Sequence, residues 1–454
     1  MRQPGDGWNF ENGMNIADFH HKMQSLQRLL TLNCHEAWVH QLGYLGCEID
    51  IIDGLPGRYC TQWDTRMRPV PKGGVLTTLD KILKSRPTYG CIITHNITDL
   101  LDLKALPGPR LLVIHETLDG RIRQHGLSMS PDQLKLLCQH YLDLVGGHTV
   151  AISPLKAKAW GFIDDIVENC VDVQEYLPWS GDVASGLRIA NQISSRKEIL
   201  LWDFHEAAFK DVPVRLVGFN PDMPGVSPSR DWNDLKSILS SHRFFIHTAH
   251  PELEDGYNSA TLEAMAAGLP ILGNKNSSSP VEHGVIGFLS DDPQELRSYA
   301  QLLLQNKDLA GRMGEAAREK VAECFPAERF ATRFRRSIER AQEKWETRRL
   351  SDAYFSLTLS EENEELQLLV KSGFFLRLSD QFQGCIRSMD IEEAVGVLGE
   401  IMKHLGMPRN ICISSFEDVN KIVLEVSDAL RGLRENRAAG SLLKAALMLG
   451  SVEK

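Results

Sequence analysis

The stretch that most restricts this chain runs from Asp255 to Pro270, DGYNSATLEAMAAGLP. It reads as a tight glycine turn opening directly into a short helix. Asn258 or Ser259 is the N-cap, because a short polar side chain accepts hydrogen bonds from first-turn amides. Leu262, Met265, Ala266 and Leu269 recur at helical spacing, so one face turns toward a core. Gly268 and Pro270 then stop the helix. Folding does not account for the polar residues here: Asp255, Asn258, Ser259 and Glu263 gather at the mouth and first turn. A helix mouth carries free N–H groups and about half a positive charge, which suits a phosphate. A carboxylate one turn in can accept hydrogen bonds from sugar hydroxyls, such as a ribose diol. On spacing alone, the plainer reading is an ordinary capped helix in an α/β domain.

The chain has 454 residues, enough for two or three domains. Apolar residues make up 43% and charged residues 24%, as in ordinary soluble globular proteins. A formal net charge of -10 argues against a nucleic-acid partner held by a broad positive surface. The 9 cysteines are scattered, which fits neither a disulfide framework nor a zinc site and suits a reducing cytoplasm. No apolar run approaches the roughly 18 to 20 residues that span a bilayer. The polar start, MRQPGDGWNFENG, lacks the basic and apolar parts of a secretion signal.

Along the chain, strand-like and helix-like runs alternate. Strands are expected at 15–19, 47–52, 91–94, 111–115, 150–153 and 165–167, with a helical segment over 24–44. After a linker near 175–185, a second alternation places strands at 187–191, 213–218 and 244–248. Such alternation predicts parallel sheets covered on both faces, with ligands at the carboxyl ends of strands. His20, His95 and His115 fall at such ends. Phe330, Phe334, Ile338, Ala341 and Trp345 make one apolar stripe on a helix over 327–350. Its Arg-rich opposite face, interleaved with Glu328, Glu339, Glu343 and Glu346, reads as solvated and ion-paired, allowing at most peripheral membrane contact. Residues 351–454 show helical patterns around 361–385, 391–404, 415–435 and 437–449 and no catalytic constellation, as in a packing or oligomerisation appendage.

The carboxylate spacing from Asp255 to Glu263, followed by EAMAAGLPIL, resembles the donor-site signature of family 4 glycosyltransferases. SSSPVEHGVIGFLSDDPQEL and GRMGEAAREKVAECFPAERFATRF resemble the segments that follow that signature, and VAISPLKAKAWGF with ENCVD the end of the family's N-terminal domain. The resemblance implies an α/β chain of the GT-B fold: two Rossmann-like doubly wound domains facing a cleft, here with a C-terminal helical appendage. The corresponding divisions are a polar extension over 1–13, an acceptor domain over 14–175, a donor-binding domain over 176–326, a closing helix over 327–350 and an accessory region over 351–454.

The implied activity is retaining transfer of a sugar from a nucleoside diphosphate to an acceptor hydroxyl, on a glycan, a lipid-linked molecule or another acceptor. In that scheme Glu263 holds the ribose, Asp255 approaches the sugar, and Gly256, Tyr257, Asn258, Ser259 and Ala260 line the diphosphate. LLVIHET resembles the strand whose terminal His lines the sugar site, which assigns His115. Lys197 keeps the place of the family's diphosphate lysine beside Arg196, while Asn191 and Gln192 stand where Gly-Arg is common, so Arg196 or Arg188 would have to substitute. No cofactor or divalent metal is demanded. Three other readings fit a two-domain cleft of this kind: a sugar-nucleotide epimerase, a nonhydrolysing phosphorylase as a variant of it, and a non-catalytic nucleotide- or glycan-binding protein.

Overall fold

The fold comes from a computed structural model that describes residues 28–55, 62–103, 106–125, 130–359, 374–388, 390–405, 407, 416–433 and 435–449. Seven parallel strands form the first sheet: β1 (Arg28–Leu32), β2 (Glu48–Ile52), β3 (Gly74–Thr77), β4 (Cys91–Thr94), β5 (Arg110–Ile114), β6 (His148–Ala151) and β7 (Asp165–Ile166). Their spatial order is β3-β2-β1-β4-β5-β6-β7. Five more parallel strands form the second: β8 (Val183–Ile189), β9 (Val214–Val217), β10 (His242–Ile246), β11 (Ile271–Gly273) and β12 (Gly287–Leu289), in the order β12-β11-β10-β8-β9. The order reverses between β1 and β4 in one lobe and between β8 and β10 in the other. Doubly wound sheets form their binding crevices at such points.

The central strands are buried along their whole length, as CIIT in β4 and HRFFI in β10, which is what a sheet covered on both faces requires. Those expected strands that fall on described residues are present to within a few residues, with one correction at the start. Residues 28–32 of the expected 24–44 helix form β1, and among the described residues of that segment only Glu36–Gln41 is α-helical. RLLTL is a short apolar run, and periodicity alone does not separate such a strand from a buried helix turn. The strand expected at 15–19, together with His20, lies outside the described residues.

The long helix Ala327–Leu359 leaves the second lobe and closes back on the first. Phe330, Phe334, Ile338 and Ala341 share one buried cluster with Leu111, Val113 and Val150 of the first sheet. Part of its charged face pairs outside the helix. Lys344 Nζ lies 2.8 Å from an Asp164 carboxylate oxygen, Arg340 pairs with Asp165, and Ser337 Oγ donates to Asp165 at 2.8 Å. The adjacent acids Asp164 and Asp165 therefore hold the closing helix against the first lobe.

Beyond it, helices Phe374–Arg387, Ile391–His404, Phe416–Gly432 and Asn436–Leu449 build a core of their own around Phe375, Phe382, Ile401, Val423 and Leu442. Leu424 and Leu443 reach instead into a first-lobe cluster with Ile97, Leu100 and Leu118, so this bundle docks on its own chain. Phe334 is fully buried at the junction of helix and first lobe. Phe334→Ala removes a buried aromatic ring and leaves a cavity, so a loss of about 3–5 kcal/mol is expected. Urea denaturation of the variant measures it, and a loss below about 1 kcal/mol would show that the helix is not docked as described.

Candidate functional site

The residues singled out by sequence follow the carboxyl ends of strands in both lobes, which face each other there. From the second lobe, the loop after β10 runs through Asp255 into the helix Ser259–Ala266. Asn258 is the N-cap: its Oδ1 accepts from the Thr261 N–H at 2.9 Å, and Thr261 Oγ1 accepts from the Asn258 N–H at 3.3 Å. This capping box occupies the Asn258 and Thr261 amides, so Ser259 and Ala260 carry the first-turn N–H groups that the cap does not use.

Gly256 and Tyr257 have other tasks. The Gly256 N–H donates to Ser278 Oγ at 2.8 Å, and a Cβ there would stand 2.8 Å from Ser279. The glycine thus lets two loops approach closely. The Tyr257 ring packs against Phe325 at 5.3 Å, and burial followed by the charge of Glu168 raises its pKa. Its side chain belongs to the core rather than to a ligand surface.

Both acidic residues of the motif meet cations from the opposite lobe. Glu263 pairs with Arg68, whose guanidinium also lies over the Trp232 ring. Asp255, 2% exposed, pairs with Lys156, which also bonds Glu254 Oε1 at 2.7 Å. Burial works against the Lys156 charge, but Glu254 and Asp255 outweigh it and raise its pKa. The second Asp255 oxygen, Oδ1, is buried without a protein partner. A carboxylate oxygen in that position accepts a hydroxyl or water readily, since leaving it unpaired costs about 1–3 kcal/mol. Behind it, His247 Nε2 donates to the Asp255 carbonyl at 3.0 Å.

Sequence reasoning did not single out Arg68, Lys156 or Glu254. Lys156 sits within VAISPLKAKAWGF, in the first turn of the helix Pro154–Trp160. Nothing in its spacing marks it, because its carboxylates lie 98 and 99 residues away.

On the third side stand the cations after β8. Arg196 closes a 3-10 turn and approaches Glu254 Oε2 at 3.9 Å, while Lys197 caps that turn and is exposed. Gln192 adopts a left-handed backbone, φ 51°, at the place where the resembled family commonly has Gly-Arg. Arg188 does not substitute for the absent arginine. It is buried, donates to Thr248 Oγ1 at 2.7 Å and to the Leu200 carbonyl at 3.0 Å, and burial with Arg196 nearby lowers its pKa to about 9.

From the first lobe, His115 stands at the end of β5 as expected, with its Nε2 3.0 Å from His95 Nδ1. Burial drives the His95 pKa to about 3 and that of His115 well below its usual value, with the neighbouring His95 adding to the latter. His35, at the end of β1, keeps exposed surface, but surrounding protein and then the charges of Arg68 and Arg196 lower its pKa. Asn169 ties this side to the helix mouth: its Oδ1 accepts from Trp38 Nε1 at 3.0 Å, and its Nδ2 lies 3.4 Å from Ser259 Oγ. The helix mouth therefore points into the junction of the lobes, which is closed by first-lobe side chains. Among the described residues no helix is long and apolar enough to cross a membrane.

Lys156→Ala would strand Asp255 as an unpaired buried charge, and a loss of about 3–5 kcal/mol in denaturation is expected. The pH dependence has a definite sign. His95 and His247 are neutral when folded, with pKa values lowered by burial to about 3 and about 4. Unfolded, they titrate near about 6.5. Below that pH the unfolded chain binds more protons, so stability is complete above it and is lost as pH falls toward 4 and then 3. The melting temperature should drop between about pH 7 and about pH 5, less so in His247→Gln; an unchanged or rising midpoint would contradict this.

Residues 221–320, which contain the helix Ser259–Ala266, match the family model described as Glycosyl transferases group 1. Over 85 residues the chain is 33% identical to N-acetyl-alpha-D-glucosaminyl L-malate synthase of Bacillus anthracis, a match covering 18% of this chain and 22% of that protein. The chain thus spans about a fifth of the length of that curated relative. Among solved structures, HepE of Anabaena in complex with UDP and glucose aligns with a TM-score of 0.52 at 14% identity, covering 69% of this chain and 99% of that one. Sucrose-phosphate synthase from Thermosynechococcus elongatus aligns at 14% identity with a TM-score of 0.46, over 68% of this chain and 97% of that one. The chain has the GT-B fold of two doubly wound lobes with an added helical region, and its 221–320 segment is similar to the glycosyl transferases of group 1.

Proposed function

We propose that this protein is a glycosyltransferase that moves a sugar from a nucleoside diphosphate to an acceptor hydroxyl, with retention at the anomeric carbon. The observation that carries the reading is the placement of the 259–266 helix mouth, within the matched segment, at the junction of the lobes. The Ser259 and Ala260 amides, with Arg196 and Lys197 nearby in the second lobe, are the groups to hold a diphosphate. Charge grows on that diphosphate as the sugar bond breaks, and pre-aimed donors stabilise it without reorganising. Glu263 takes the ribose diol. The unpartnered Asp255 Oδ1 takes a sugar hydroxyl. His115, neutral at physiological pH, faces the sugar from the acceptor lobe.

Since Arg68 and Lys156 hold both motif carboxylates, donor entry requires the lobes to separate or these cations to turn onto the diphosphate. In either event they provide positive charge beside a site whose usual arginine is replaced by Gln192. No step of this scheme runs through a metal. The reaction belongs to a protein working in the cytoplasm on an activated sugar.

A second reading, a non-catalytic nucleotide-binding protein, is favoured by one observation: both motif carboxylates are already neutralised by the opposite lobe. Thermal shift against UDP-, GDP-, ADP- and dTDP-sugars separates these outcomes. A ligand that binds only the folded chain raises its melting temperature. One nucleotide class should stand out, and Glu263→Gln should abolish its shift when each protein is compared with its own ligand-free midpoint. No shift with any donor would refute the assignment; a shift with no sugar released or transferred would favour the binding protein.

A further inference from the structure

Cys34, His95 and His115 follow the carboxyl ends of β1, β4 and β5, which are neighbours in the first sheet. One ligand-type atom from each lies within 4.8 Å of the other two. Their sequence spacing marks no metal site; the sheet alone gathers them. A thiolate and two imidazoles form a donor set of the zinc class, and three protein ligands leave one coordination place open. His95 is buried, whereas Cys34 and His115 are half-buried, so the open place lies on their side.

The surroundings suit an ion. With His95 bound through Nδ1, its Nε2–H donates to Thr31 Oγ1, 2.9 Å away, the outer contact that fixes a ligating imidazole. Trp38 packs edge-on to both rings, with centroids 5.0 and 4.9 Å away, and holds their orientation. Lys156, whose charge reaches His115, is matched by Glu254 and Asp255. A hydrogen bond accounts for the present 3.0 Å between His95 Nδ1 and His115 Nε2. Two nitrogens on one tetrahedral zinc stand about 3.3 Å apart, so an ion needs only a small separation of the rings.

The geometry points to a site at which Cys34, His95 and His115 bind one divalent ion of the zinc class on the acceptor side of the cleft. Cys34 coordinates as thiolate and releases its proton on binding. The site does not depend on the donor reading, because the Glu263 test is made on the opposite lobe.

Chelator-treated full-length protein titrated with Co2+ tests this. One equivalent should produce a thiolate-to-cobalt charge-transfer band and tetrahedral visible bands, both displaced by Zn2+. Cys34→Ser should remove the charge-transfer band, and His95→Gln should weaken binding by at least about tenfold. Cys47→Ser, at the amino end of β2, should change neither. X-ray absorption on zinc-loaded wild-type protein, which needs no variant, should show one sulfur and two imidazole nitrogens. Absence of the cobalt spectrum, its survival in Cys34→Ser, or a zinc shell without sulfur would overturn the site and leave a Thr31–His95–His115 hydrogen-bond chain.

Discussion

The arrangement of this protein depends on one buried ammonium. Lys156 of the first lobe lies between Glu254 and Asp255 of the second, and all three side chains are largely withdrawn from solvent. Desolvating three charges offsets most of their attraction, so such a cluster adds less to stability than to uniqueness. Its consequence is positional. Asp255 is held by Lys156 through its carboxylate and by His247 through its carbonyl, so the loop after β10 has one conformation and the following helix starts at one place. Thr117 Oγ1 donates to the Leu253 carbonyl at 2.7 Å and fastens the same loop from the first lobe.

The second constraint comes from the far end of the fold. The helix that begins at Ala327 returns the chain to the first lobe and buries its aromatic stripe against β5 and β6. Ion pairs to Asp164 and Asp165 set its register, and Arg335 donates to the Leu45 carbonyl at 2.9 Å. The two lobes are therefore joined twice, through the site and through this helix. Any relative motion that admits a ligand has to exchange the first set of contacts while pivoting on the second.

Much of this was legible in the residues. The 255–270 stretch revealed the capped helix, its buried face and its stop, because capping chemistry and helical spacing are local. The β4, β5 and β10 runs were legible because parallel strands buried on both faces are continuously apolar. β1 was not, since five apolar-rich residues next to a genuine helix carry no period of their own. Arg188 read as a spare cation near the diphosphate, yet its guanidinium satisfies carbonyls inside the second lobe. Charge is visible in a sequence, but its direction along a strand is not.

By itself, the sequence determined the parallel α/β architecture, the helix mouth with Glu263 one turn in, and the amphipathic closing helix, because each rests on side-chain spacing within one element. Only tertiary structure decided that Arg68 and Lys156 would meet the motif carboxylates, that Gly256 would spend its amide on Ser278, and that Cys34, His95 and His115 would converge. Those groups come from segments far apart along the chain. Strand order and lobe closure bring them together, and neither leaves a periodic trace in the residues.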